Sequence, residues 1–100
     1  GYAAAVFLLS ADEILWEKVC KNVLDTGIYF DRVRLGGVTL EQYILFHAAK
    51  DVYSGTKHIR LSELTDRELI PGEILRLIVN AFVIEKCGVE IIKQEVWNAD

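Results

Sequence analysis

Methionine is absent from the 100 residues, proline occurs once and cysteine twice. The longest apolar stretches, Tyr2 to Leu9 and Leu77 to Ile84 with Asn80 inside it, fall far short of the ~20 residues that cross a bilayer. A spanning helix is excluded, and no membrane partner is expected. A chain of this length is one small domain, residues 1–100, too short for two independent cores. A secretory signal needs a positive segment ahead of its apolar part and a small-residue cleavage site, and Gly1 and Tyr2 offer neither. The expectation is an intracellular, cytoplasmic chain, and its start on Gly1 rather than Met reads as a processed, trimmed or artificially introduced N-terminus. Cys20 and Cys87 lack the paired spacing of a zinc site or a redox dithiol and read as small buried hydrophobes. No metal and no cofactor is expected.

Basic residues are also in the minority, 11 against 15 acidic ones, for a net charge of −4. That field repels a phosphate backbone, so nucleic acid is disfavoured as a partner. Against this stands one local basic patch, Arg32, Arg34, Lys57 and Arg60, in two short stretches that would have to converge. There is no Gly-rich phosphate loop, and Gly36-Gly37 without a following lysine reads as a plain turn.

What the chain has in excess is apolar side chains, 52% of it, which rules out disorder. Their periodicity predicts helices. Tyr2 to Leu9 forms a short one. Ser10-Ala11-Asp12-Glu13 has capping-box grammar, with Leu9 and Ile14 as a hydrophobic staple, and predicts an amphipathic helix from Ser10 to Gly27. From Ile28 to Val38 the pattern becomes a loop with one short strand. Thr39-Leu40-Glu41-Gln42 repeats the box and starts a helix to about Tyr53 that is apolar on several sides, stopped by Ser54-Gly55. Lys57 to Leu61 reads as extended, and Ser62 caps a short segment, with Thr65 as a rival start. Pro71 suits a first helical position and opens a largely apolar helix to Gly88, the expected main pillar of the core. Val89 to Trp97 reads as a last helix. The fold class is therefore all-α or nearly so: a compact bundle of about five helices around a central apolar helix, with at most two very short strands.

Val33 to Ile44 aligns without gaps with Ile59 to Ile70, sharing Arg, Leu, Thr and Ile. If the echo is a duplication, the two extended ends pair and bring Arg34 beside Arg60. If it is convergence, capping grammar alone accounts for it.

Candidate chemistry is sparse. His47 and Asp51 stand one helical turn apart, a spacing at which a carboxylate orients an imidazole. Without a third ligand they read as a polar cluster with Arg76 and Asn80 rather than a catalytic site, and the chain is not expected to be an enzyme. The apolar surplus, ending in Ile91, Ile92, Val96 and Trp97, exceeds what a small core covers and points to an interface. The expected function is a small non-enzymatic protein-interaction or structural module, self-associating as a homodimer or a subunit of a larger assembly. The alternative is a nucleic-acid-binding helical domain using the basic patch.

Overall fold

The structure, a computed structural model, describes residues 1–88. In chain order it contains α1 (Tyr2–Leu9), α2 (Glu13–Val19), β1 (Val23–Leu24), β2 (Gly27–Ile28), α3 (Leu40–Ser54), α4 (Leu61–Leu64) and α5 (Gly72–Cys87), with 3₁₀ turns at Cys20–Asn22 and Phe30–Arg32. The fold is all-α apart from one minimal antiparallel hairpin, β1 with β2, in which Val23 faces Ile28 and Leu24 faces Gly27. No helix among the described residues is long and apolar enough to cross a membrane. The predicted last helix, Val89 to Trp97, lies outside the described residues.

The centre of the bundle is α1. It carries no charge on any face, and Ala4, Ala5, Leu8 and Leu9 are all essentially fully buried. It packs against both α3 and α5, which also touch each other. The expected pillar, α5, takes a lesser role: it buries one stripe, Ile74, Ile78, Ala81 and Ile84, while Val79 and Phe82 remain exposed. Small residues explain the exchange. The two buried alanines of α1, Ala4 and Ala5, belong to one core cluster with Ala48, Ala49 and Ala81 of the neighbouring helices, and short side chains let helix axes approach closely. The helix α3 buries Ile44, Leu45, Phe46, Ala48 and Ala49 on adjoining faces, as a helix contacted from more than one side must.

Capping places the helix starts. At α3 the box forms in full: the Gln42 N–H donates to Thr39 Oγ1 at 3.2 Å, and the Thr39 N–H donates to Gln42 Oε1 at 2.8 Å. At α2 the cap is Asp12 rather than Ser10. Asp12 Oδ1 accepts from the Leu15 N–H at 2.9 Å and from Gln42 Nε2 at 3.0 Å, whereas the Ser10 hydroxyl turns back to the Phe7 carbonyl. A carboxylate reaches two donors at once and ties the starts of α2 and α3 together, which a serine at position 10 cannot do. Gln42, 5% exposed, is thereby satisfied inside the core. The expected staple is absent, since Ile14 is largely exposed.

Helix α2 ends well before Gly27. Val23, Leu24 and Ile28 prefer an extended backbone, Asp25-Thr26 makes a two-residue turn between them, and the hairpin wins over a further helical turn. Gly27 has φ 149°, and a Cβ there would stand 2.8 Å from the Tyr53 hydroxyl. That hydroxyl accepts from the Ile28 N–H at 3.2 Å, and the Tyr53 ring packs on Phe30 with centroids 5.6 Å apart. Gly27→Ala is accordingly expected to cost about 1 to 3 kcal/mol of unfolding free energy by urea titration. Part of the loss should return in a Tyr53→Phe background, and equal losses in both backgrounds would show that the hydroxyl is not the obstacle.

The echoed segments do not pair. Neither Val33–Leu35 nor Ile59–Leu61 is a strand, and the two helix starts diverge: the first opens α3, the second only α4. There the Glu63 carboxylate accepts from the Arg60 N–H at 2.9 Å, and Asp66 then accepts from the Glu68 and Leu69 amides, forming a turn in place of the helix expected up to Ile70. Pro71 caps α5 from just outside it, Gly72 being the first helical residue. Gly36-Gly37 is an exposed turn held to α2 by Lys18, whose Nζ donates to the Gly36 carbonyl at 3.0 Å. Cys20 is half-buried and Cys87 exposed, both as free thiols, so neither is the buried hydrophobe expected. Cys87 sits in the last turn of α5, off its buried stripe.

Candidate functional site: a clamped loop between two pockets

The last turn of α3 carries Asp51 into an unusual position. The negative end of a helix dipole disfavours a carboxylate, yet Asp51 is held there by the segment that follows. Oδ1 accepts from Thr56 Oγ1 at 2.6 Å, from the His58 N–H at 2.9 Å and stands 2.8 Å from His58 Nδ1, while Oδ2 accepts from the Ile59 N–H at 2.8 Å. Gly55, in the left-handed region at φ 71°, turns the chain back so that all these groups reach one carboxylate. Burial pushes the Asp51 carboxyl up, but the hydrogen bonds from Thr56, the two amides and the His58 ring together outweigh it and hold the group below its ordinary 3.8.

His47 and Asp51 do not pair with each other. His47 sits in an aromatic cluster of tilted and edge-on contacts, with ring centroids 4.3 Å from Tyr43, 5.4 Å from Phe46 and 4.8 Å from His58. Its Nδ1 is buried without a hydrogen-bond partner among the described residues. Burial, then the charge of His58, then that of Lys50 lower its pKa below 6.5 against the pull of Asp51. Arg76 is exposed and Asn80 half-buried on α5, and neither makes a side-chain hydrogen bond or ion pair among the described residues. Thr56 and His58 occupy the places expected for them. No group of three or more His, Cys, Asp and Glu among the described residues is placed to hold a metal ion.

The clamped segment separates two pockets, and Ile59 lines both. On one side lies an apolar groove of about 330 Å³ between α3, α4 and α5, walled by Val52, Ile59, Leu61, Ile78 and Phe82, with Lys57 and Glu85 among its lining. On the other is a smaller pocket of about 180 Å³, where Tyr43, His47, His58 and Glu63 stand above Ile44 and Ile70. Leu61 is 80% exposed and Phe82 46%, so the groove carries apolar residues that project as well as apolar residues that recede.

The basic residues are dispersed. Arg32 lies over the Tyr29 ring at 4.5 Å and shares a separate pocket with Lys50. Arg34 is exposed, Lys57 lines the groove, and Arg60 precedes α4. No hydrogen bond, ion pair or strand pairing among the described residues joins the first two to the last two. The interface residues expected from the sequence, Ile91, Ile92, Val96 and Trp97, lie outside the described residues. The groove was missed because its residues are scattered along the chain. An aspartate in the closing turn of α3, unfavourable by helix electrostatics, was the available signal for the clamp. Compared with known proteins, the chain matches no protein family, no curated protein and no solved structure.

Proposed function

We propose that the chain is a small non-enzymatic protein-interaction module that self-associates through the groove between α3, α4 and α5. The observation that carries this reading is that projection and recess lie on one patch. Leu61 stands 80% exposed at the lip of an apolar groove. A two-fold dimer uses the same patch on both subunits. A projecting leucine beside an apolar groove is complementary to a rotated copy of itself: each copy's Leu61 enters the other's groove. Lys57 and Glu85, on the loop and on α5, are opposite charges in the same lining, so the rotation can bring unlike charges together at the rim. The Glu85 side chain is 41% exposed.

Sedimentation velocity across a concentration series tests this. The expected result is a reversible dimer that tightens with added salt, because each copy carries a net charge of −4 and salt screens the mutual repulsion. Leu61→Glu should weaken the dimer by about tenfold or more, as expected when a charge replaces a central apolar anchor, with an unchanged thermal melt measured under monomeric conditions. A wild-type protein that stays monomeric at high micromolar concentration overturns the reading. Salt-sensitive retention of RNA or DNA, lost when Arg60 and Lys57 are replaced, would favour the nucleic-acid alternative in its place.

A further inference from the structure

Two histidines in the chain meet in a tilted ring contact, their planes 39° apart, and they do so where α3 and the 55–60 segment are joined. His47 belongs to α3. His58 belongs to the segment, and its Nδ1 is engaged by Asp51 at 2.8 Å. The segment is held to α3 by the Asp51 carboxylate and by this ring contact, with centroids 4.8 Å apart. We infer that the His47–His58 contact is a proton-operated latch on the 55–60 segment, closed while no more than one ring is charged and opened by the second proton.

A single charge on His58 sits against the Asp51 carboxylate and strengthens the clamp. A second charge, on His47, is placed 4.8 Å across the ring contact from the first, and although the 40% exposure of His58 lets solvent screen part of the repulsion, the separation is well inside a Debye length. His47 is the more restrained of the two rings, because it belongs to a helix and Tyr43 and Phe46 of the same helix lie against it. His58 is on a loop and can leave. The charged and titratable groups around the pair are Tyr43, Lys50 and Asp51 from α3 and Glu63 from α4, which lines the same pocket. At His47, Asp51 favours the charged ring and Lys50 opposes it. Burial and His58 outweigh the attraction, so the second proton binds only in acid. No group of three or more His, Cys, Asp and Glu among the described residues is placed to hold a metal ion, and the ligand of the ring pair is the proton itself.

Ile59 lines both pockets, so release of the segment reshapes the groove as well. That consequence for assembly rests on the dimer reading, whereas the latch stands without it. The test is therefore made on the monomer, with Leu61→Glu as the background. Amide exchange measured by NMR and corrected for intrinsic rates should show the His58 and Ile59 N–H groups losing about tenfold or more of their protection between about pH 7.5 and about pH 4.5. The α1 amides should hold theirs. His47→Phe keeps the aromatic contacts and removes the charge, and should retain the loop protection across the range. Imidazole NMR of the histidine-intact background should show two coupled titration steps. Protection that is independent of pH, a His47→Phe protein that loosens in parallel with its parent, or two rings that titrate without sensing each other each overturn the latch. A latch that works in a chain whose wild type never dimerises would leave this inference standing and remove only the assembly proposal.

Discussion

Truncating Leu8 to Ala lowers the unfolding free energy by about 3 to 5 kcal/mol, at the upper end of what a buried leucine costs. Leu8 is 0% exposed on α1, which packs against both long helices of the described residues, α3 and α5. The cost of such a truncation is the lost transfer free energy plus a cavity term that depends on how far the surroundings collapse. Here collapse is restricted. The buried faces of α3 and α5 include Ala48, Ala49 and Ala81, whose side chains have no further atoms to move into the space. Domains of this size are stable by only about 5 to 15 kcal/mol, so the loss is a large part of the whole and shifts the thermal midpoint by about 15 to 30 °C. Urea denaturation followed by circular dichroism gives the number. Leu61→Ala, 80% exposed, should stay within about 0.5 kcal/mol of wild type under monomeric conditions. A Leu8→Ala loss below about 1 kcal/mol would remove α1 from the centre of the fold.

That central role was hidden by the kind of signal a sequence offers. Apolar periodicity ranks helices by length and richness, which favours the long segment after Pro71. What decides the centre is how many sides of a helix can be covered. Tyr2 to Leu9 has no charged residue and three adjacent alanines, so two partners can approach it, whereas α5 spends Val79 and Phe82 on the surface. The chain of helices itself was legible, because caps are local. Thr39 with Gln42 and the Gly55 stop depend on residues within one turn, and the structure forms both. Where a cap also serves a distant partner, as Asp12 serves Gln42, local grammar selects the wrong residue. The site shows the same division. His47 and Asp51 are legible as neighbours one turn apart. The preference of Asp51 for Thr56, His58 and Ile59 follows from a left-handed glycine turning the chain, and that geometry is invisible to helical spacing.

Asp51→Ala is the second substitution with a large expected effect, a loss of about 2 to 4 kcal/mol at neutral pH, since one charged acceptor serves four donors. The side chain is only 14% exposed, so water replaces it poorly, and Ala leaves the Ile59 amide, which is part-buried, without its partner. The pH dependence separates this carboxylate from other causes of instability. In the folded chain Asp51 holds its proton less tightly than the ordinary 3.8. Its contribution is therefore complete above that value and is lost as pH falls through the lowered one. His47 acts in the same direction by a different route: its folded pKa lies below 6.5, the unfolded chain takes up the proton first, and stability declines as pH drops below 6.5 toward the folded value. Wild type should show both declines in a pH series of urea midpoints. Asp51→Ala should lack the lower one, so that the gap between the two proteins closes in strong acid. The upper decline should extend to lower pH in the variant, because the carboxylate that favours a charged His47 is gone. A gap that persists undiminished below about pH 3, or a wild type that gains stability on acidification from 6.5, would mean that the clamp does not hold the loop in the way its hydrogen bonds require.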